Sequence, residues 1–310
     1  MTGRCLKIGG ASFARAPYFR LIFANCVSPN KLILEVQKML TQMQNYDKGL
    51  PFVFRLIRKH NENGIEKQLL VTSSPFGYRR MAELIRPEGE TPCAAILYMH
   101  WYEPEAPDSN RSQFVGEATE MAIRGAACLL IETMWSDPDF FLKRTQEDDL
   151  QNSVQQVVDI RRAMDFLLAQ PDVDPERFAY VGHDFGGMYG ILAGSLDQRP
   201  THYAIMAATP RFPDWYLYAP KLEGEAREAF IRQMAEIDPI THIGNLSPAP
   251  LLFQFADDDF HVPRERAEEF FAAAKEPKEM RWYRAGHGLN DVATWERMAW
   301  LTKALLLSER

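Results

Sequence analysis

The chain has 310 residues, 46% of them hydrophobic, and a formal net charge of −7. That is enough apolar material for one sizeable core, and the acidic balance excludes a nucleic-acid partner, which would need a basic face. No apolar run reaches the roughly 18 residues of a membrane span, so no membrane partner is expected.

Four cysteines, Cys5, Cys26, Cys93 and Cys128, are scattered without metal-ligand spacing. They read as free thiols of a reducing compartment, which makes the cytoplasm the expected location. His100, His183, His261 and His287 form no H-E-x-x-H or similar set, so no metal and no cofactor is expected.

Residues 1–34 contain Arg4, Lys7, Arg15, Arg20 and Lys31 but no acid. This composition suits a basic tail or an arm packed on the domain, and a transit peptide shares it. Residues 31–46 carry Leu32, Leu34, Val36, Met39, Leu40 and Met43. That spacing predicts an amphipathic helix laid on the body or on a second copy in a homodimer. The expected division is an arm and helix over 1–50 and a main domain over 51–310.

Residues 52–60 and 66–72 alternate or run apolar around Asn61-Glu62-Asn63-Gly64, which predicts a hairpin. A further strand is expected over 78–86, closed by Pro87. From residue 94 onward strands and helices alternate. Buried strands are expected at 96–99, 126–131 and 178–181, a long packed helix at 151–168, a small apolar helix at 188–196, and a strand at 201–208. Residues 209–250 form the one sizeable insertion, with an aromatic front (Phe212, Trp215, Tyr216, Tyr218) and a helical rear at 225–237. Strands follow at 251–255 and 280–283. The predicted class is α/β, with a mostly parallel central sheet and helices on both faces.

The chemistry sits at the turns. Gly182-His183-Asp184-Phe185-Gly186 has the frame of a nucleophile elbow, with aspartate at the centre. Small flanking residues permit a sharp strand-to-helix turn that presents one side chain beside backbone N–H groups at a helix start. A lone pattern of this kind also fits an ordinary βα turn with glycines for close packing. Here a predicted strand precedes it and a predicted helix follows. A carboxylate attacks saturated carbon well and carbonyls poorly, because acyl transfer to it would give a reactive anhydride.

Asp257, Asp258 and Asp259 follow the strand at 251–255, and His287 lies between glycines after the last strand. Asp259 is the candidate acid because it opens an Asp-x-x-Val-Pro frame; the other two suit a solvated turn. Nucleophile, acid and histidine then come in the chain order of α/β-hydrolases. His183 reads as a packed residue beside the elbow.

On these motifs, together with Ile96-Leu97-Tyr98-Met99-His100, the chain resembles the α/β-hydrolase fold superfamily over residues 50–308. Its organisation is nearest to the dienelactone hydrolase-like and prolyl-peptidase-like branch. Two residues depart from that branch. It usually has Ser or Cys where Asp184 stands, and glycine after the oxyanion-loop histidine, where this chain has Trp101. An Asp nucleophile is instead typical of epoxide hydrolases and dehalogenases. The resemblance implies a small-molecule substrate, with Asp184, His287 and Asp259 as catalytic residues and the N–H groups of Phe185 and Trp101 as oxyanion donors. His100, Tyr102, Trp135, Trp215, Tyr216 and Tyr218 are the expected pocket residues. Epoxide opening would draw on tyrosine O–H groups and halide release on indole N–H groups. An esterase or lactonase, or a non-catalytic binding protein of the same fold, remains open at this point.

Overall fold

The computed structural model describes residues 29–47, 53–74, 76–89, 92–108 and 110–309. The basic segment 1–28, with Cys5 and Cys26, lies outside the described residues. Nine strands form one sheet: β1 Val53–Glu62, β2 Ile65–Ser73, β3 Arg79–Pro87, β4 Cys93–Met99, β5 Ala126–Ile131, β6 Val173–His183, β7 His202–Met206, β8 Leu251–Ala256 and β9 Lys278–Tyr283. Its order is β1-β2-β3-β5-β4-β6-β7-β8-β9. The first three strands and the β3–β5 pair are antiparallel, and every pair from β5 to β9 is parallel. The expected hairpin is β1–β2. Its turn uses Asn63 and Gly64 with φ of 52° and 76°, the left-handed pair that an Asn-Gly turn accommodates.

Among the described residues the α-helices are α1 Pro29–Gln44, α2 Val115–Ile123, α3 Phe140–Lys143, α4 Gln146–Leu168, α5 Phe185–Leu196, α6 Pro213–Tyr216, α7 Gly224–Met234, α8 Pro239–His242, α9 Arg264–Ala273 and α10 Asp291–Ala304. Both faces of the central strands β4, β5 and β8 are buried, as a parallel sheet requires, whereas β1 at the antiparallel edge is mostly exposed. In β4, Ala95, Leu97 and Met99 join the larger core, which also holds side chains of α4 and α5. Ala94, Ile96 and Tyr98 of the same strand join a second core with α2 and α10. The period of two along a strand thus feeds two cores from one sequence run.

The predicted amphipathic helix is α1, which packs on the body. Arg161 of α4 donates to the carbonyl of Met43 at 2.7 Å, and Tyr46 O–H donates to Asp165 at 2.8 Å. The insertion at 209–250 folds as α6, α7 and α8 with short 3-10 turns, and Arg144 ties it to α4. Its guanidinium donates to the carbonyls of Tyr216 (2.8 Å) and Ala219 (2.7 Å) while pairing with buried Asp149.

Candidate active site

The strand order reverses at β4, with β5 on one flank and β6 on the other, so the carboxyl ends of these strands open a crevice. The elbow sits there, between β6 and α5. Asp184 has φ 52° and ψ −118°, a conformation that non-glycine residues seldom adopt. The turn holds because its neighbours are glycines. A Cβ on Gly182 would strike the Gly186 carbonyl, and one on Gly186 would overlap the backbone of Met99. The Asp184 N–H donates to Met206 O at 2.8 Å, tying the turn to β7.

Asp184, Asp259 and His287 converge from the ends of three strands. His287 Nδ1 donates to Asp259 Oδ2 at 2.8 Å, and His287 Nε2 lies 3.8 Å from Asp184 Oδ2. Asp259 Oδ1 accepts from the N–H groups of His261 (2.8 Å) and Val262 (3.1 Å), which locks the carboxylate facing the imidazole. Of the neighbouring acids, Asp257 pairs with Arg264 at 2.6 Å and Asp258 is exposed.

Electrostatics divide the three groups. Burial raises Asp184 above the ordinary carboxylate range, with His287 pulling the other way. Burial also opposes charge on Asp259, but His287 and the two N–H donors outweigh it and hold Asp259 low. Burial disfavours charge on His287 too, yet the two carboxylates prevail and push it up to about 9. Both Asp184 carboxylate oxygens and His287 Nε2 are buried without a hydrogen-bond partner. The imidazole thus sits between two aspartates, with the Asp184 side at a spacing too long for a hydrogen bond.

His183 is fully buried beside the elbow, and burial holds it well below its ordinary pKa. Its neutral ring accepts from Gln113 Nε2 at 2.6 Å and donates to the His287 carbonyl at 2.9 Å. Gln113 Oε1 in turn accepts the Trp101 N–H at 3.2 Å. This corrects one expectation, because the Trp101 N–H is already engaged by Gln113. The Phe185 N–H remains beside the Asp184 carboxylate. Gln113 went unnoticed in the sequence, where nothing local marks it.

A cavity of about 580 Å³ opens above His287. Tyr102, Trp215 and Tyr218 line it, as does the Trp101 ring. His100, Trp135 and Tyr216 do not, which corrects their expected placement. His100 is held below the cavity floor: Nδ1 donates to Trp101 O at 2.7 Å, Nε2 meets Ser136 Oγ at 2.7 Å, and burial lowers its pKa to about 4. Trp135 is fully buried, with its indole N–H on the His100 carbonyl at 3.0 Å. Tyr216 is fully buried with its hydroxyl 2.5 Å from that of Tyr189. His261, Phe141, Glu103 and Glu105 line the cavity and were not singled out in the sequence. The position of His261 two residues after Asp259 was the available signal for it. Among the described residues, no group of three His, Cys, Asp or Glu side chains could hold a metal ion, and no helix is long and apolar enough to cross a membrane.

The family model of the prolyl oligopeptidase family matches residues 141–301, more than half of the chain, and takes in the elbow, Asp259 and His287. The chain belongs to the prolyl oligopeptidase family. Within that family it is an α/β-hydrolase-fold hydrolase. Among solved structures it is similar to an acetyl xylan esterase from Paenibacillus sp. R4, with a TM-score of 0.68 and 17% identity over 90% of this chain and 95% of that one. It is similar to acetyl xylan esterase 1 from Thermoanaerobacterium sp. JW/SL YS485, with a TM-score of 0.64 and 15% identity over 89% and 94%. A cold-adapted esterase from an Arctic intertidal metagenomic library gives a TM-score of 0.60 and 13% identity over 82% and 99%. At these identities the likeness is one of fold. No curated protein matches the chain significantly. In this member of the prolyl oligopeptidase family, an aspartate stands at the elbow between β6 and α5.

Proposed function

We propose that the protein hydrolyses a small organic substrate at saturated carbon, with Asp184 as nucleophile and a halide as leaving group. The observation that carries this reading is the Asp184 carboxylate, buried, without a hydrogen-bond partner, at the elbow and 3.8 Å from His287. In the first step an Asp184 oxygen forms a bond to carbon as the carbon–halogen bond breaks, and the halide leaves with the electron pair. The product is a neutral alkyl ester. With the Asp184 charge gone, His287 loses one of the two carboxylates that hold its proton, releases it, and becomes a base. A water then attacks the ester carbonyl carbon and passes its proton to His287 Nε2. The tetrahedral adduct collapses, the alkoxide takes that proton from His287, and the Asp184 carboxyl passes the water's second proton to His287, which restores the starting carboxylate and imidazolium. The sum is alkyl halide plus water giving alcohol, halide and one proton.

A halide is favoured over an epoxide by the remaining donors. The indole N–H groups of Trp101 and Trp215 are buried without a partner. Their rings pack on His287 at centroid distances of 4.8 and 5.6 Å. An epoxide would instead need acidic O–H groups. Tyr216 O–H is engaged in the core and Tyr102 O–H donates to the Pro138 carbonyl at 2.7 Å, which leaves Tyr218, exposed on the cavity wall, to set against two indoles packed on His287.

A dienelactone hydrolase-like esterase or lactonase, with Asp184 as a base for water, agrees equally with family and fold. Both routes pass through a tetrahedral adduct, for which the Phe185 N–H stands beside Asp184 while the Trp101 N–H is engaged by Gln113. The test is turnover of haloalkane, epoxide and ester panels in heavy-oxygen water, followed by mass analysis of the elbow peptide. Heavy oxygen in Asp184 during haloalkane turnover is the expected result. Ester turnover with unlabelled Asp184 would establish base catalysis, and no turnover on any panel would favour a binding protein.

A further inference from the structure

The cavity has a charge pattern that bears on what it admits. No lysine or arginine lines it, whereas Glu103 and Glu105 both do. The two glutamates come from the loop after β4 and, among the described residues, neither makes an ion pair. The one contact between them is a 3.3 Å hydrogen bond from the Glu105 N–H to Glu103 Oε1. Glu103 also favours the protonated form of His261, after Asp259 and Asp184, and burial and His287 outweigh all three. The other walls are aromatic: Tyr102, Phe141, Trp215 and Tyr218. Trp215 is only 9% exposed, and its N–H has no partner. Aromatic faces with a nearby carboxylate attract a compact, weakly hydrated cation. A carboxylate-bearing substrate such as a haloacid would meet two like charges, while the cationic group on the wall, His287, is already paired with Asp259 and faces Asp184, which works against it.

We propose that the substrate carries an alkylammonium or similar onium group, held at the cavity mouth by Glu103, Glu105 and the aromatic walls while its reactive carbon points toward His287 and Asp184. The word substrate rests on the hydrolase reading above. The selection for positive charge stands on binding alone.

The experiment separates the two. Choline, its uncharged isostere 3,3-dimethylbutan-1-ol and the anion 3-hydroxypropanoate are titrated into the full chain, followed by tryptophan fluorescence and calorimetry. Choline should bind about tenfold more tightly than the neutral isostere, the magnitude expected of a partly desolvated cation–π site with a flanking carboxylate. The anion should bind most weakly. In the double variant Glu103→Gln, Glu105→Gln the preference for choline should shrink severalfold while binding of the neutral isostere stays unchanged. Equal binding of choline and its isostere, tighter binding of the anion, no binding of any probe, or a preference untouched by the double variant would each overturn the proposal. Turnover of (2-chloroethyl)trimethylammonium is then compared with that of 1-chloro-3,3-dimethylbutane. A binding preference for cations with neither chloride turned over would leave the charge selection standing and count against the halide hydrolase.

Discussion

His287 holds its two aspartates unequally, with Nδ1 at 2.8 Å from Asp259 and Nε2 at 3.8 Å from Asp184. The short side is a fixed orienting bond. The long side is no hydrogen bond, and the Asp184 oxygens and His287 Nε2 are buried without any other partner. Replacing Asp184 with Asn should therefore lower turnover by at least about a thousandfold, since the nucleophile is lost. It should also lower the His287 pKa from about 9, because one of the two carboxylates favouring the cation is gone. Ring-proton NMR against pH measures the second effect without any substrate. An unmoved His287 titration would contradict the ion-pair geometry.

Replacing His287 with Gln should separate the two half-reactions. Alkylation of Asp184 needs no base, so halide release should continue for one equivalent and then stop. The elbow peptide should gain the mass of the alkyl group. A steady rate of halide release in this variant would mean that another group activates water, and His261, whose ring centroid lies 5.2 Å from that of His287, would be the first to replace.

The raised His287 pKa also sets a pH dependence of stability. An unperturbed histidine titrates near 6.5, and the folded protein holds His287 at about 9. The folded state therefore binds the proton more tightly than the unfolded chain. This contribution to stability is fully present below about 6.5, declines between about 6.5 and 9, and is gone above that. The melting temperature of the native protein should fall relative to that of His287→Gln across this window. A pH-independent difference between the two would contradict the shift.

The elbow was legible because its Gly-x-Asp-x-Gly frame is contiguous in sequence, although the backbone that Gly186 must clear is that of distant Met99, and Asp259 because the Asp-x-x-Val-Pro frame sets its turn. The hairpin was legible from Asn63-Gly64 for the same reason. The pocket was half legible. Trp215 and Tyr216 are adjacent on α6, yet Trp215 lines the cavity and Tyr216 is sealed in the core. A one-turn helix has no periodicity from which to tell its two faces. Gln113 was invisible, because its partners lie 12 and 70 residues away in the chain and no spacing rule connects them.

Gln113 makes a prediction about the esterase alternative. With its Oε1 on the Trp101 N–H, changing Asp184 to Ser should yield only feeble esterase activity despite the intact acid and histidine. Adding Gln113→Ala should free that N–H for an oxyanion. A single donor of this kind is worth about a hundredfold or more in evolved sites, so a gain of at least about tenfold in kcat over Asp184→Ser alone is expected on an activated ester. The change should fall on kcat more than on KM, because the donor acts on charge that develops in the transition state. No gain would mean that the Trp101 N–H does not point at the reacting centre.

Arg144 couples the fold's stability to the cavity. Its side chain and that of Asp149 are almost fully buried at 2.9 Å, and the same guanidinium holds the carbonyls of Tyr216 and Ala219 next to Trp215 and Tyr218. Burial raises Asp149 to about 6 even with Arg144 pulling it down. Replacing Arg144 alone with Met strands that carboxyl group without its partner and should cost about 3–5 kcal/mol in denaturant unfolding. Replacing both, Arg144→Met with Asp149→Leu, removes the stranded charge and should recover most of the loss. The carbonyls of Tyr216 and Ala219 stay without their donor in both variants. The double variant should therefore unfold nearly like the native protein yet bind choline more weakly, because the segment carrying Trp215 and Tyr218 is no longer tied to α4. Recovery of both properties together would show that Arg144 acts on stability alone.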